Sequence, residues 1–503
     1  MSGAVASGGG VAKHRGLITG CVMIATLMQV LDSTIANVAL PYMQSSLNSS
    51  IDQITWVLTS YVIASAILTA PVGWLASRYG RKRLFMICLV GFTITSMMCG
   101  AAQSLAQMVV FRVLQGGFGA ALVPLCQAIM LDIYPVEKRP QAMAIWGMGV
   151  MVGPITGPTI GGWLTEAYNW RWVFYVNLPF GALAITGLAL FLPKTEPNPS
   201  LRFDWTGFAV LGLAIGSLQL MLDRGQELDW FNSPEILGEL VLALLGAYLF
   251  VVHMFTAERP FLPPAMFRDR NLSSAMMVMF STGMVLMASS ALLAPYLQNL
   301  AGYPVETAGL VMAPRGLGTM VAMILAGKYG SRVDQRLFMT AGVLVLSATL
   351  YSMSGWTPDV SRGQLLVTLV LQGFGMGWIF NPLSVIAYAT LAPQYRADAA
   401  AVLSLGRNIG AAIGISITSF SLTRNAQIVH EVLSEVATPF NRLLHGGAMG
   451  RLLDPGTAQG AAVLDQMISR QALIVAYNDD FLLMTWVTLP TLLLLALMRK
   501  VRR

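Results

Sequence analysis

Few residues in this chain combine reactive chemistry with an apolar setting. Asp32 stands inside the otherwise uncharged run 17–40, and Arg112 inside the run 107–130. Asp32 lies eight residues before the end of its run, about 12 Å in at 1.5 Å per residue, and Arg112 five residues into a run entering from the same side, about 8 Å in. The two depths match. A charge at membrane depth is costly and marks a functional hypothesis. Desolvation favours the protonated carboxyl and a nearby guanidinium favours the ionised one, so a change in their separation would load and release a proton. A pair held at fixed separation would be purely structural, and spacing leaves both readings open. Arg315 and Arg407 lie roughly ten and twelve residues into their runs with no acid at matching depth. Either they bond to carbonyls and amides such as Gln372, Asn381 or Asn408, or they face a wet cavity. Small neighbours in GRNIG favour packing for Arg407, whereas for Arg315 the two readings are even. Gln29 and Gln115 complete the set of polar residues that could line a substrate cavity. The Met-rich run from Met276 reads mainly as apolar packing.

Other chemistries find no support. There is no phosphate loop of the form GxxxxGK[ST], so direct use of ATP is not expected. His14, His253, His430 and His445 lack ligand spacing, so no metal site is expected. Cys21, Cys88, Cys99 and Cys126 all fall in apolar segments and suggest no disulfide framework. With no cofactor expected, an ion gradient or the substrate's own gradient is left as the energy source.

The elements that must position these residues follow from composition. The chain has 503 residues, 55% hydrophobic and 11% charged, with mean hydropathy +0.64. Soluble domains carry about 25% charged residues, so a soluble enzyme is excluded and a polytopic membrane protein remains. The net charge of +7 then belongs to loops rather than to a nucleic-acid surface. Uncharged runs place spans at 17–40, 52–76, 84–104, 107–130, 139–164 and 170–192, then 204–222 and 235–256, then 271–299, 305–328, 337–356, 364–390, 395–422 and 478–499. The first span has no cleavage-site pattern and is read as retained. Of 31 Lys and Arg, 21 fall in the termini and the loops after even-numbered spans, 7 in the opposite loops and 3 within spans, which places both termini in the cytoplasm.

An internal repeat supports this layout. GWLASRYGRKRLF from Gly73 and GKYGSRVDQRLF from Gly327 share Gly and Ser-Arg at an offset of 254, and QGGFGA and QGFGMG recur at an offset of 257. The expected organisation is a cytoplasmic tail 1–16, a six-helix bundle 17–192, a linker 193–203, two inserted helices 204–256, a linker 257–270, a second six-helix bundle 271–499 and a tail 500–503.

At this point the motifs resemble a known family. LMQVLDSTIANVALP (27–41), GWLASRYGRKR (73–83), RVLQGGFGA (112–120) and GVMVGPITGPTIGG (149–162) are similar, in order, to the signatures of fourteen-span drug:proton antiporters of the major facilitator superfamily. SLQLMLDRGQELDWF (217–231) looks like the EmrB-type subgroup, whose members work with an EmrA-type periplasmic adaptor and a TolC-type outer-membrane channel. The resemblance implies an all-α facilitator fold with fourteen transmembrane helices, two halves and two inserted helices. It assigns proton coupling to Asp32 and Arg112, and a conformational latch to Gly73, Ser77, Arg78, Gly80 and Arg81. The antiporter signature falls on Gly149, Gly153, Pro154, Gly157, Pro158, Gly161 and Gly162. One departure is Ser77, where the superfamily commonly has Asp; a hydroxyl cannot form the charged pair, and the second copy offers Asp334 only at a different position.

The implied function is proton-coupled efflux of lipophilic drugs or toxic compounds across the bacterial inner membrane, as the pump of a tripartite system. The alternative is a dedicated exporter of a metabolite such as a siderophore or fatty acid. The stretch 424–477 is expected to be a long periplasmic loop, with helix-like pieces at 426–436 and 458–475. It is either a solvated cap or a docking surface for the adaptor.

Overall fold

A computed structural model of the chain describes residues 14–258, 260, 262–330, 332–392, 395–435 and 457–499. These residues form helices and connecting turns, with no strand among them. In hydrocarbon every backbone N–H and C=O must be satisfied internally, and a helix does this within one segment. The helices are α1 (Arg15–Ser46), α2 (Trp56–Thr69), α3 (Val72–Tyr79), α4 (Arg81–Ala101), α5 (Leu105–Gly119), α6 (Leu122–Ile133), α7 (Arg139–Ala167), α8 (Asn177–Phe191), α9 (Trp205–Arg224), α10 (Pro234–Thr256), α11 (Arg270–Pro295), α12 (Val305–Tyr329), α13 (Gln335–Met353), α14 (Arg362–Ala389), α15 (Arg396–Ser434), α16 (Ala458–Thr488) and α17 (Thr491–Leu497). Among the described residues, twelve helices are long and apolar enough to cross a membrane. The pair α2 and α3, bent by 58° at Pro71, makes a thirteenth. The 29-residue α7 occupies the position of the remaining expected span.

Side-chain caps set several helix starts. Ser104, Asp204, Asp269, Ser361 and Thr457 each accept a backbone N–H from the first turn of the helix they precede. Each satisfies a donor that would otherwise be orphaned near the membrane edge.

Packing follows the repeat. In the first half α1 packs along α7 and α2 along α5; in the second, α11 packs along α15 and α12 along α14. Close backbone approach recurs at equivalent glycines. A Cβ on Gly116 would meet the Tyr61 carbonyl at 2.4 Å, and one on Gly373 would meet the Arg315 carbonyl at 1.8 Å. The inserted α9 and α10 pack on each other, and α9 leans on α2, where Thr59 donates to the carboxylate of Asp223.

The two halves meet at the end of the bundle that carries the basic loops. Met323 of α12 fills the space beside Gly147 of α7, and Gln127 of α6 lies 3.4 Å from both Ser384 and Tyr388 of α14. At the other end the expected long loop is in part helical. α15 runs on to Ser434 and α16 begins at Ala458, so the helix-like pieces are extensions of the spans themselves, tied by His430 to Asp465 at 3.0 Å. Residues 436–456, the loop proper, and the tail 500–503 lie outside the described residues, as do 1–13.

Candidate functional site

Asp32 and Arg112 meet inside the first half, where α1, α5 and α8 converge. Arg112 donates from Nη1 to Asp32 Oδ2 at 2.9 Å, and the residues are 1% and 0% exposed. Asp32 Oδ1 accepts from Gln115 Nε2 at 2.8 Å and from Asn177 Nδ2 at 2.7 Å. Asn177 also donates to Ser96 of α4 at 2.9 Å, and Ser96 donates to the Phe174 carbonyl. On the cationic side, Arg112 donates to the Val57 carbonyl at 2.9 Å and to Gln115 Oε1 at 2.7 Å, and its guanidinium lies 4.1 Å from the centre of the Tyr61 ring. Gln29 donates to the Tyr61 hydroxyl at 3.2 Å.

Magnitudes show why the neutral partners matter. At an effective dielectric of 20, opposite charges about 3 Å apart attract by roughly 6 kcal/mol. Burying each ion costs several kcal/mol, so the bare pair is near break-even. The amide donors and the aromatic face tilt the balance toward the ionised pair. Spacing located Asp32 and Arg112; it gave no reason to select Asn177, 145 positions from Asp32 and 81 from Ser96, or Ser96 or Tyr61, and helix packing brings all three to the site.

The antiporter-signature glycines form one face of α7, and that face receives α1. Ideal Cβ atoms on Gly149, Gly153, Gly157 and Gly161 would stand 2.4, 2.7, 2.3 and 2.7 Å from Met23, Val30, Thr34 and Ile35. Gly162 is looser, 4.0 Å from Val38. The helix that carries Asp32 is therefore gripped along its length by a ridge that tolerates no side chain. The side chains of Pro154 and Pro158 lie outside the described residues.

At the basic end the residues that the resemblance assigns to a latch occupy α3, the turn after it and the start of α4. Gly80 has φ +83°, a conformation that favours glycine, and the Thr195 carbonyl would lie 2.6 Å from a Cβ there. Arg81 pairs with Asp132 of α6. Ser77 donates back to the Gly73 carbonyl at 3.0 Å, so its hydroxyl stays within its own helix. Gly73 abuts Asp398 of α15, which brings an acid from the second half against the latch. Arg78 Nη1 is buried without a partner among the described residues. The linker drapes this turn: Asn198 N donates to the Ser77 carbonyl at 3.0 Å and Trp74 donates to the Arg202 carbonyl at 3.1 Å. Asp334 caps α13 and pairs with Arg336 at 3.2 Å.

The six cavity candidates offered by the sequence separate into two groups. Gln29 and Gln115 belong to the Asp32 site. In the second half, Arg315 donates to Ser290 at 2.8 Å, to Ser289 at 2.9 Å and to the Leu286 carbonyl at 3.4 Å. Of the carbonyls and amides that the sequence offers as partners, a carbonyl is present, and two serine hydroxyls of α11 stand in place of amides such as Gln372, Asn381 or Asn408. Gln372 instead faces Met353 Sδ at 3.7 Å, and Asn381 donates to the Met323 carbonyl at 3.4 Å. The backbone of Arg407 packs on Gly283 of α11. Among the described residues no carboxylate pairs with Arg315 or Arg407. Asp480, at the edge of its expected span, lies well inside α16 and is 0% exposed.

Comparisons with known proteins agree with the fold. The family model for the Major Facilitator Superfamily matches residues 22–415. The chain is 35% identical over 470 residues to the multidrug export protein EmrB of Escherichia coli strain K12, covering 92% of this chain and 91% of that protein. It is 34% identical over 465 residues to the fatty acid resistance protein FarB of Neisseria gonorrhoeae, covering 91% of each. Among solved structures, the human organic anion transporter MFSD10 is similar with a TM-score of 0.60 at 16% identity, covering 94% of this chain and 99% of that one. The proton:xylose symporter XylE is similar with a TM-score of 0.61 at 14% identity, covering 96% of each. With its paired six-helix halves and a matching model over most of its length, the chain belongs to the Major Facilitator Superfamily.

Proposed function

We propose that this transporter exports lipophilic drugs or toxic compounds across the bacterial inner membrane in exchange for protons. The observation that carries the reading is the buried Asp32–Arg112 pair with its amide donors. When Asp32 takes a proton it gives up its attraction to Arg112, and α1 is freed to shift against α5 and α8. Because α1 is gripped along the glycine face of α7, that shift passes to α7, which touches α12 of the other half beside Met323. Alternating access then follows as rocking of the two halves about a central site. The contacts at the basic end correspond to a state closed on that side. The basic loops face the cytoplasm in this reading, as do both termini.

The similarity to proteins named for multidrug export supports drug efflux. We propose further, from the resemblance of 217–231 to the EmrB-type subgroup, that the pump works with an EmrA-type adaptor and a TolC-type channel, and that the helical extensions α15 and α16 are the surface offered to the adaptor. No cofactor is needed, since the proton gradient supplies the energy. The test is transport in proteoliposomes: substrate should move against its gradient only when an opposing proton gradient is imposed. Transport without that gradient would overturn the coupling.

A second reading is export of a physiological amphiphile. It is favoured by Arg315, a buried cation held only by hydroxyls and a carbonyl, and by the similarity to a protein named for fatty acid resistance.

A further inference from the structure

Asp480 is the second fully enclosed acid of the bundle, and its surroundings are the reverse of those of Asp32. It lies on α16 with 0% exposure, and neither carboxylate oxygen has a hydrogen-bond partner in ordinary geometry among the described residues. Asp32, by contrast, has a guanidinium and two amide donors.

The groups around Asp480 supply no positive charge. From α15 it is faced by the hydroxyl of Ser421, and on its own helix Asp479 and Tyr477 are the titratable neighbours that act on it or respond to it. Tyr296, at the end of α11, has its ring 5.6 Å from that of Tyr477, and its hydroxyl donates to the Thr357 carbonyl at 3.0 Å. Asp359, in the turn after α13, acts on Tyr296. The arginines on the outer parts of α15 and α16 are engaged elsewhere: Arg470 donates to the Leu300 carbonyl at 3.3 Å, and Arg424 lies 5.8 Å from the Phe420 ring. An ionised carboxylate with no cation beside it and only the Ser421 hydroxyl facing it is costly in such a place, and a group so placed neutralises instead.

Position indicates where the proton comes from. Asp480 is 17 residues before Leu497, about 26 Å along a helix that must cross roughly 30 Å of hydrocarbon. It therefore sits close beneath the edge opposite the basic loops. The adjacent Asp479 is exposed. Further in, the junction of α11, α15 and α16 is lined by apolar side chains such as Met284, Ala288, Leu483 and Val487, which offer a proton no route inward.

We propose that Asp480 is a second proton-binding site of this transporter, loaded in the conformation seen here and exchanging with water at the edge marked by Asp479. An O–H bond forms on the carboxylate when a proton enters from that water and breaks when the site is rehydrated; no electrons move. The proposal deepens the proton-antiport reading and rests on it for its role in transport.

The experiment is infrared difference spectroscopy on the purified transporter at neutral pH. A carbonyl stretch of a protonated carboxylic acid should be present, be retained in Asp32→Asn, and be lost in both Asp480→Asn and Asp480→Leu. The apolar Leu variant keeps the test open if the amide variant fails to fold. Transfer to D2O should shift the band. The proposal is overturned if the band is missing, if it survives in either Asp480 variant, or if it does not shift in D2O, which would mark a sealed acid. Absence of proton-driven transport in the wild type would overturn the antiport reading instead, and would leave the infrared result unchanged.

Discussion

Asn177 donates to Oδ1 of Asp32 at 2.7 Å from a helix 145 positions further along the chain. Its second contact, to Ser96, ties the carboxylate to α4 as well. The protonation state of Asp32 is thus linked to the relative positions of four helices, α1, α4, α5 and α8, and not to Arg112 alone.

Replacing Asp32 by Asn should abolish gradient-driven transport. The amide fills the same volume but cannot change charge. Arg112 keeps the Val57 carbonyl, Gln115 Oε1 and the Tyr61 face, so the protein should still reach the membrane at close to wild-type levels. Transport in proteoliposomes that still follows the pH gradient in Asp32→Asn would mean that another group carries the proton.

Removing the donor at Asn177 tests the link directly. A hydrogen bond to a charged group is worth about 1.5–3 kcal/mol, and 1.36 kcal/mol corresponds to one pH unit. Losing a donor to the ionised form favours the protonated form. Asn177→Ala should therefore move the pH profile of transport toward alkaline values by about one to two units. An unmoved profile with reduced amplitude would assign Asn177 to packing alone.

The glycine face of α7 predicts a graded response. Gly157→Ala places a methyl 2.3 Å from Thr34 Oγ1, whereas Gly162→Ala meets Val38 only at 4.0 Å. Overpacking of this kind costs about 1–3 kcal/mol. Gly157→Ala should lower the melting temperature and slow transport, and Gly162→Ala should do neither. Equal effects at both positions would show that α1 and α7 are not in register as described.

These residues also mark what the sequence makes legible. An acid and an arginine stand out in apolar runs because charge is rare there, and matching depths follow from a rise of 1.5 Å per residue. The internal repeat is legible too: Tyr61 and Arg315, 254 positions apart, present their carbonyls to Gly116 and Gly373. Asn177 and Ser96 are not legible, because neutral polar residues are common in membrane helices and only packing brings these two to Asp32. Asp480 escapes for a different reason. Hydropathy starts the last span at 478, beside two acids, while α16 begins at Ala458 and carries Asp480 into the protein interior. The partner of Gly73 is likewise hidden, since Asp398 comes from the other half.

Shortening the connection between Glu435 and Thr457 addresses the adaptor. Its flanks are helices joined by the His430–Asp465 contact at 3.0 Å, which the deletion leaves in place. Transport in inverted inner-membrane vesicles should be spared while resistance of whole cells is lost. Loss in both assays would assign the segment to the cycle of the pump itself.

Substrate charge is the last consequence, and it follows from an electrostatic count. The embedded arginines Arg112, Arg315 and Arg407 face one paired acid, Asp32, and Asp480, which has no cation beside it. Arg112 is compensated, so the uncompensated positive charge lies in the second half. A cation brought within 4 Å of such a charge meets a repulsion of about 4 kcal/mol at an effective dielectric of 20. Arg315 is the better candidate to act on substrate, because its guanidinium is held only by Ser289, Ser290 and a carbonyl, partners that a carboxylate or phenolate would outbid. Neutral and weakly acidic lipophiles should therefore bind more tightly than matched dications, and the preference for the anion should disappear in Arg315→Gln. Competition binding on purified protein, with compounds differing only in charge, measures this. Tighter binding of the dication than of its neutral analogue would remove Arg315 from the substrate path.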